Sequence, residues 1–257
     1  MLEWIARGLR KGIVTTGYPR RQEPAPAGFR GSVEVLETHG AEPALEDVCP
    51  TDAIEVRGGA VALDRGRCIL CGLCVAADPA RFAFVEQYPT AARGRARLVV
   101  GEPPVGPSDA VRPALGEATS TLRKSIHIRH ADVGSDGAEE WEISALTNPV
   151  YDMQRLGLFF TLAPRHADVL LVTGGVTPSM RDPLRRVFDV MPEPKAVVAA
   201  GTDACSGGVA AAAGEVAGGV DQVIPVDVYV PGSPPSPIAL LHGLLLAAGV
   251  VREEAAS

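Results

Sequence analysis

Between residues 125 and 250 the apolar positions fall into short blocks separated by glycine and polar residues. Asp168–Thr173 (DVLLVT) and Lys195–Ala200 (KAVVAA) are nearly continuous apolar runs, each ending at a glycine. Such runs predict strands covered on both faces of a sheet. Ser125–His130 alternates apolar and polar positions as a strand does, and Gln222–Val226 predicts a further buried strand. Ala138–Leu146 opens a helix, residues 178–190 place Met180, Leu184, Val187 and Phe188 at helical spacing, and Ile238–Ala248 predicts a last helix. Strands alternating with helices imply a parallel α/β sheet. Sites in such sheets lie at the carboxyl ends of the strands. The segments 133–140, 174–178, 201–208 and 230–235 are therefore expected to converge.

The first hundred residues have a different texture. Residues 2–13 put Leu2, Ile5, Leu9 and Ile13 on one helical face, with Trp4 beside it and Arg7, Arg10 and Lys11 elsewhere. A stripe of this kind suits a membrane surface or a partner's groove; the alternative is a helix packed on its own domain. Ile54–Val56 and residues 60–63 predict a hairpin across Arg57-Gly58-Gly59. Phe82 and Phe84 are expected in the core of a second hairpin. Residues 101–120 hold four prolines and three glycines without sustained periodicity, which predicts a linker between units at 1–100 and 121–257.

Bulk composition narrows the function classes. The net charge of −7 argues against non-specific nucleic-acid binding, and 46% apolar residues suffice for real cores in a chain of 257. No apolar run has the length of a membrane span and no secretory signal opens the chain. The five cysteines read as those of a reducing compartment rather than a disulfide framework.

Four of those cysteines carry the chemistry. Cys68, Cys71 and Cys74 are spaced by three, and an isolated Cys49-Pro50 precedes them. In the bacterial run C-x2-C-x2-C-x3-C-P, the fourth cysteine ligates the other cluster of a two-cluster protein. Here the second run ends Asp78-Pro79, and the first keeps only Cys49-Pro50, with His39, Glu42 and Leu45 at its other positions. One crossed ligand set, Cys49, Cys68, Cys71 and Cys74, is thus whole, and the other has no thiolate. The pattern points to one [4Fe–4S] cluster; a zinc site and unliganded thiols are the alternatives.

The opening of the chain, with its helix, Thr16-Gly17-Tyr18-Pro19 and Arg30-Gly31, resembles the ferredoxin-like subunits of formate hydrogenlyase and complex I. Residues 145–152 (ALTNPVYD), 164–174 (PRHADVLLVTG), 191–195 (MPEPK) and 225–232 (PVDVYVPG) resemble the small subunit of energy-converting [NiFe] hydrogenases and its complex I counterpart. The resemblance implies an α+β ferredoxin-like iron–sulfur domain followed by an α/β parallel-sheet, flavodoxin-like domain. It implies an electron-transfer and scaffold subunit of a membrane-attached oxidoreductase, with a hydrogenase large-subunit homologue and membrane subunits as partners. The expected location is cytoplasmic, at the inner face of the cell membrane. A structural subunit whose cluster only stabilises the fold, and a soluble ferredoxin-like carrier, are the other readings.

The hydrogenase branch of that family holds a proximal cluster on four cysteines. Their positions correspond here to Asp136, Glu139, Asp203 and Ser233, while Cys205 corresponds to a cysteine that is not a ligand. Three carboxylates and a hydroxyl are hard oxygen donors, suited to magnesium, to calcium or to no metal. A vestigial site, a hard-metal site and an unusual cluster are the three readings. The histidines carry less weight: His127 and His130 belong to a predicted strand, His166 to a loop and His242 to the last helix. Tyr151 and Asp152 lie in the segment that borders the quinone cavity in complex I. The Gly-rich tract 201–219 is followed by no Gly-Lys-Ser/Thr and does not make a phosphate loop.

Overall fold

A computed structural model of the chain describes residues 3–88, 90–101, 115 and 125–252. The predicted linker at 101–120 lies almost wholly outside the described residues. The carboxyl-terminal part is built on five parallel strands: β6 (Ile126–Asp132), β7 (Leu158–Phe160), β8 (Val169–Thr173), β9 (Ala196–Ala200) and β10 (Val228–Val230). Their order is β10-β9-β8-β6-β7, so the direction of winding reverses between β6 and β8. Every residue of β8 and β9 is buried, which is why both read as unbroken apolar runs.

Successive residues of those strands face opposite layers. Val169, Leu171, Ala196 and Val198 meet the helix at Pro237–Ala247, together with Ile126 and Ile128 of β6. Leu170, Val172, Val197 and Ala199 meet Leu184 of the helix at Arg181–Val190 and the segment around Cys205. The helix at 237–247 is buried along its whole length, so it is apolar all round rather than amphipathic. Pro237 occupies its first turn and Ser236 Oγ accepts from the Ala239 amide at 3.3 Å, which caps it. Each fully buried leucine there contributes about 2 kcal/mol from removed apolar surface.

One predicted strand is misplaced. Residues 222–226 do not form a strand: Val220–Gln222 is a 3₁₀ turn and pairing starts at Val228. Pro225 has no amide to give a ladder, and the Asp227 carboxylate accepts from the Val197 amide at 2.7 Å just before pairing begins. The three-residue edge strand β7 was not anticipated; it is too short to show a period.

The amino-terminal part carries two small antiparallel sheets. β2 (Ile54–Arg57) and β3 (Ala60–Asp64) form the expected hairpin, and β5 (Val99–Gly101) extends it. β4 (Phe82–Val85) pairs not with a neighbouring strand but with β1 (Ser32–Val35), fifty residues earlier in register. The expected second hairpin is therefore a long-range pair. Phe82 is nonetheless fully buried, in a core with Val33, Ile54 and Leu63. Helix α1 (Glu3–Lys11) buries no residue, and Trp4, Leu9 and Ile13 are exposed.

The two parts are tied together. The Thr16 amide donates to the Val150 carbonyl at 2.7 Å, and Tyr18 is buried in the large core with its hydroxyl on His242 Nδ1. Ala92 and Tyr229 exchange both backbone bonds at 2.9 Å.

Candidate metal centre

The four cysteines of the intact set are brought together. Cys49 follows a 3₁₀ turn at Pro43–Val48, Cys68 and Cys71 lie in the loop after β3, and Cys74 lies in α2 (Leu73–Ala77). All four line one small apolar pocket with Val33, Val48, Ile54 and Leu63. The loop closes because Leu70 (φ 56°) and Gly72 (φ 83°) take left-handed conformations. Gly72 also packs under the Phe84 ring, where a Cβ would come within 3.0 Å. Arg30 holds the loop from outside: its Nη1 donates to the carbonyls of Leu70 (3.2 Å) and Cys71 (3.3 Å), and its guanidinium lies 4.9 Å from the centre of the Phe84 ring.

Backbone amides point at the sulfurs. The Ala53 amide donates to Cys49 Sγ at 3.3 Å, and amides near Leu70 and Val75 act on Cys68 and Cys74. Burial pushes the Cys68 thiol up to about 11, with Cys74, Cys49 and Cys71 adding to the rise. Cys74 is raised for the same reason. Cys68 and Cys74 resist ionisation until a cationic centre offsets their charge. Among the described residues no group of three or more His, Cys, Asp or Glu is drawn in tightly enough for a single metal ion. Zinc would need all four sulfurs at about 2.3 Å from one point. Four cysteines around one apolar pocket, with amide donors at Cys49, Cys68 and Cys74, suit a [4Fe–4S] unit.

The thiol-free ligand set, His39, Glu42, Leu45 and Asp78, is closed by a cation. Arg81 Nε donates to Asp78 Oδ2 at 3.0 Å, and its Nη1 donates to the carbonyls of Glu37 (2.7 Å) and His39 (2.9 Å). Two of the four positions, His39 and Asp78, are thus bridged by one guanidinium. Leu45 packs on the small core and Glu42 is exposed.

At the carboxyl end of the large sheet, the expected loops do converge. Glu139 sits in the first turn of α3 (Ala138–Ala145) and Asp203 in the first turn of the short helix Thr202–Ser206. Asp136 lies in the loop before α3. These three carboxylates act on one another: burial, then Asp203, Asp136 and Glu140, push Glu139 up to about 7. Burial and Asp136 raise Asp203. Ser233 is exposed; its neighbour Gly232 accepts from the Thr202 amide at 2.8 Å, so its loop joins the same end. An all-oxygen donor set does not suit an iron–sulfur cluster.

Thr202 Oγ1 also donates to the Cys68 carbonyl at 3.0 Å, joining the cysteine loop directly to this end of the sheet. Nothing in the sequence pattern pointed to that contact or to the roles of Arg30 and Arg81. Cys205 is fully buried elsewhere, its thiol directed at the Ala199 carbonyl (3.8 Å) and pushed up to about 12 by burial. His127 is on the strand beside Asp168, His130 meets Thr173 and Glu140, and His242 is held by Tyr18. Tyr151 lines a cleft with Phe29, Arg30, Leu70 and Pro234.

Residues 137–247 match the family described as NADH ubiquinone oxidoreductase, 20 Kd subunit, and residues 61–109 match the 4Fe-4S single cluster domain. The chain joins a 4Fe-4S domain to a complex I 20 kDa-type domain. Formate hydrogenlyase subunit 7 of Escherichia coli (strain K12) is 39% identical over 133 residues, which is 52% of each chain. The chain thus spans about half the length of that relative. Among solved structures, the archaeal membrane-bound sulfane sulfur reductase is 30% identical, covering 51% of this chain and 74% of that one, with a TM-score of 0.45. The NAD+-reducing [NiFe]-hydrogenase in the H2-reduced state is 18% identical, covering 49% and 92%, with a TM-score of 0.41. In the 20 kDa-type domain the Asp136, Glu139 and Asp203 loops sit at the carboxyl ends of β6 and β9.

Proposed function

We propose that this chain is an electron-transfer and scaffold subunit of a membrane-attached, hydrogenase-related or complex I-like oxidoreductase. It carries one [4Fe–4S] cluster on Cys49, Cys68, Cys71 and Cys74 and no cluster at the proximal position of the 20 kDa-type domain. The observation that carries this reading is the one pocket whose wall holds all four of those cysteines and not Cys205. The match of residues 61–109 to a single cluster domain supports it. The strand order, with its reversal between β6 and β8, is that of flavodoxin-like sheets.

When bound, the cluster supplies one-electron transfer. The chain's own residues do the rest. The amides near Ala53, Leu70 and Val75 donate to the thiolate sulfurs and favour their ionised form. Val33, Ile54, Leu63 and Phe82 exclude water from the inner side. Arg30 fixes the loop by two carbonyl bonds. The partners are a hydrogenase large-subunit homologue and membrane subunits. The exposed apolar stripe of α1, with Arg7, Arg10 and Lys11 beside it, supports peripheral contact with the membrane arm.

The oxygen donors at the proximal position favour a second reading, a subunit whose cluster serves stability alone. Iron and sulfide analysis of anaerobically purified protein tests the ligand assignment, with about four of each expected per chain. Serine at any of the four cysteines should lower iron sharply, and Cys205→Ser should leave it unchanged. About eight irons per chain, or loss of iron on changing Cys205, would overturn the assignment. A cluster that no electron donor of the purified complex reduces would favour the structural reading.

A further inference from the structure

The electron-transfer reading leaves one buried group without a role. Glu139 is 3% exposed, and its Oε2 has no hydrogen-bond partner. Two glycines make room for the carboxylates around it. A Cβ on Gly201 would come within 2.4 Å of Glu139 Oε1, and one on Gly208 within 1.7 Å of Asp203 Oδ1. Asp203 reaches Glu139 from the helix at 202–206, and Asp136 from the loop after β6. Glu140, next on α3, is already engaged by the hydroxyls of Ser135 and Thr173. The helix at 237–247, which packs against α3, carries a single titratable residue, His242, and Tyr18 holds it.

An ionised carboxylate that is buried, with one oxygen unpartnered, and faced by other carboxylates is disfavoured. A metal ion, a guanidinium or a proton would relieve it. Among the described residues no group of three His, Cys, Asp or Glu forms a metal site, and after burial and a bond from its own backbone amide the groups acting on Glu139 are acidic. We propose that Asp136, Glu139 and Asp203 form a proton-binding site, in which Glu139 reversibly takes up one proton from solvent at its free oxygen. The site stands next to Thr202, whose hydroxyl donates to the Cys68 carbonyl. It offsets the acidic field by protonation where the 4Fe-4S domain uses Arg81.

Infrared titration of the full, cluster-loaded chain tests this through the carbonyl band of protonated carboxyl groups. A band should persist above about pH 6, where ordinary carboxyl groups are ionised, and titrate away with a midpoint about 7. Glu139→Gln should remove it without changing iron content. Asp203→Asn should shift the midpoint down by up to about one pH unit, because a like charge is lost. Absence of the band above about pH 6 would overturn the proposal. So would Mg²⁺ abolishing the band with stoichiometric binding, which marks a cation site. Should Glu139→Gln fail to fold, an unshifted midpoint in Asp203→Asn would overturn it as well.

Discussion

Replacing Glu139 by glutamine should change how stability depends on pH, not merely its level. The carboxyl group is ordinary in the unfolded chain, near 4.5, and is held up to about 7 when folded. Below both values the group is protonated in both states and its neutral form suits the buried pocket. As pH rises from 4.5 to 7 the unfolded chain releases the proton and the folded chain keeps it, so folding stability falls. Above about 7 the loss is complete and the curve is flat. The gap between the two values corresponds to about 3 kcal/mol at most. Asp136 is exposed and Asp203 only partly buried, so water screens their field and about 2 kcal/mol is the better figure. Glutamine has the same shape and no proton to lose. The assay is urea unfolding of the wild type and Glu139→Gln in parallel, at matched iron content, between about pH 5.5 and about pH 8; that window covers about 1 kcal/mol of the screened effect. Glutamine should gain on the wild type as pH rises. A constant offset would refute the argument, and a wild type that gains with pH would mean that a cation holds Glu139 ionised.

Two further outcomes follow from the amino-terminal part. Arg81→Met removes three charge-assisted hydrogen bonds around a side chain that is 11% exposed, and should cost about 2–3 kcal/mol in chemical denaturation while iron content holds; a loss under about 0.5 kcal/mol would mean that the guanidinium bridges nothing of consequence. Because burial and neighbouring thiols hold Cys68 up to about 11, cluster loading of the apoprotein must expel protons and should be slower at about pH 6.5 than at about pH 8.5. Equal loading rates at both would contradict the raised thiol.

What the sequence displayed was periodic or local. β8 and β9 are apolar on both faces and announced themselves as DVLLVT and AVVAA within KAVVAA. The β2–β3 hairpin was visible through Gly58-Gly59. The crossed cysteine set was visible because its spacing is fixed by chemistry. What stayed hidden depends on contacts between residues far apart in the chain. β4 looked like half of a hairpin, but its partner is β1, and no local pattern names a partner fifty residues away. β10 was placed too early because the apolar residues of 222–226 resemble a strand until Pro225 and the Asp227 cap are taken into account. Arg30, Arg81 and Thr202 act through backbone carbonyls of other segments, and a carbonyl has no sequence signature.

The two ligand sets that lack thiols show how one protein solves the same problem twice. A cluster-binding loop folds so that donors and carbonyls surround a charged centre; without thiolates, something else must satisfy those groups. In the 4Fe-4S domain, loop carbonyls and one carboxylate converge, so the need is for donors and positive charge. Arg81 supplies both, with its fork reaching Asp78 and the carbonyls of Glu37 and His39 at once. At the end of the large sheet the replacements are themselves acidic. An arginine there would need room that Gly201 and Gly208 already give up to carboxylate oxygens. The smallest cation that fits is a proton. Chemistry at the first site is therefore insensitive to pH across the range where proteins function, since a guanidinium keeps its charge, whereas the second site titrates within that range. The titrating site is the one in contact with the cysteine loop through Thr202.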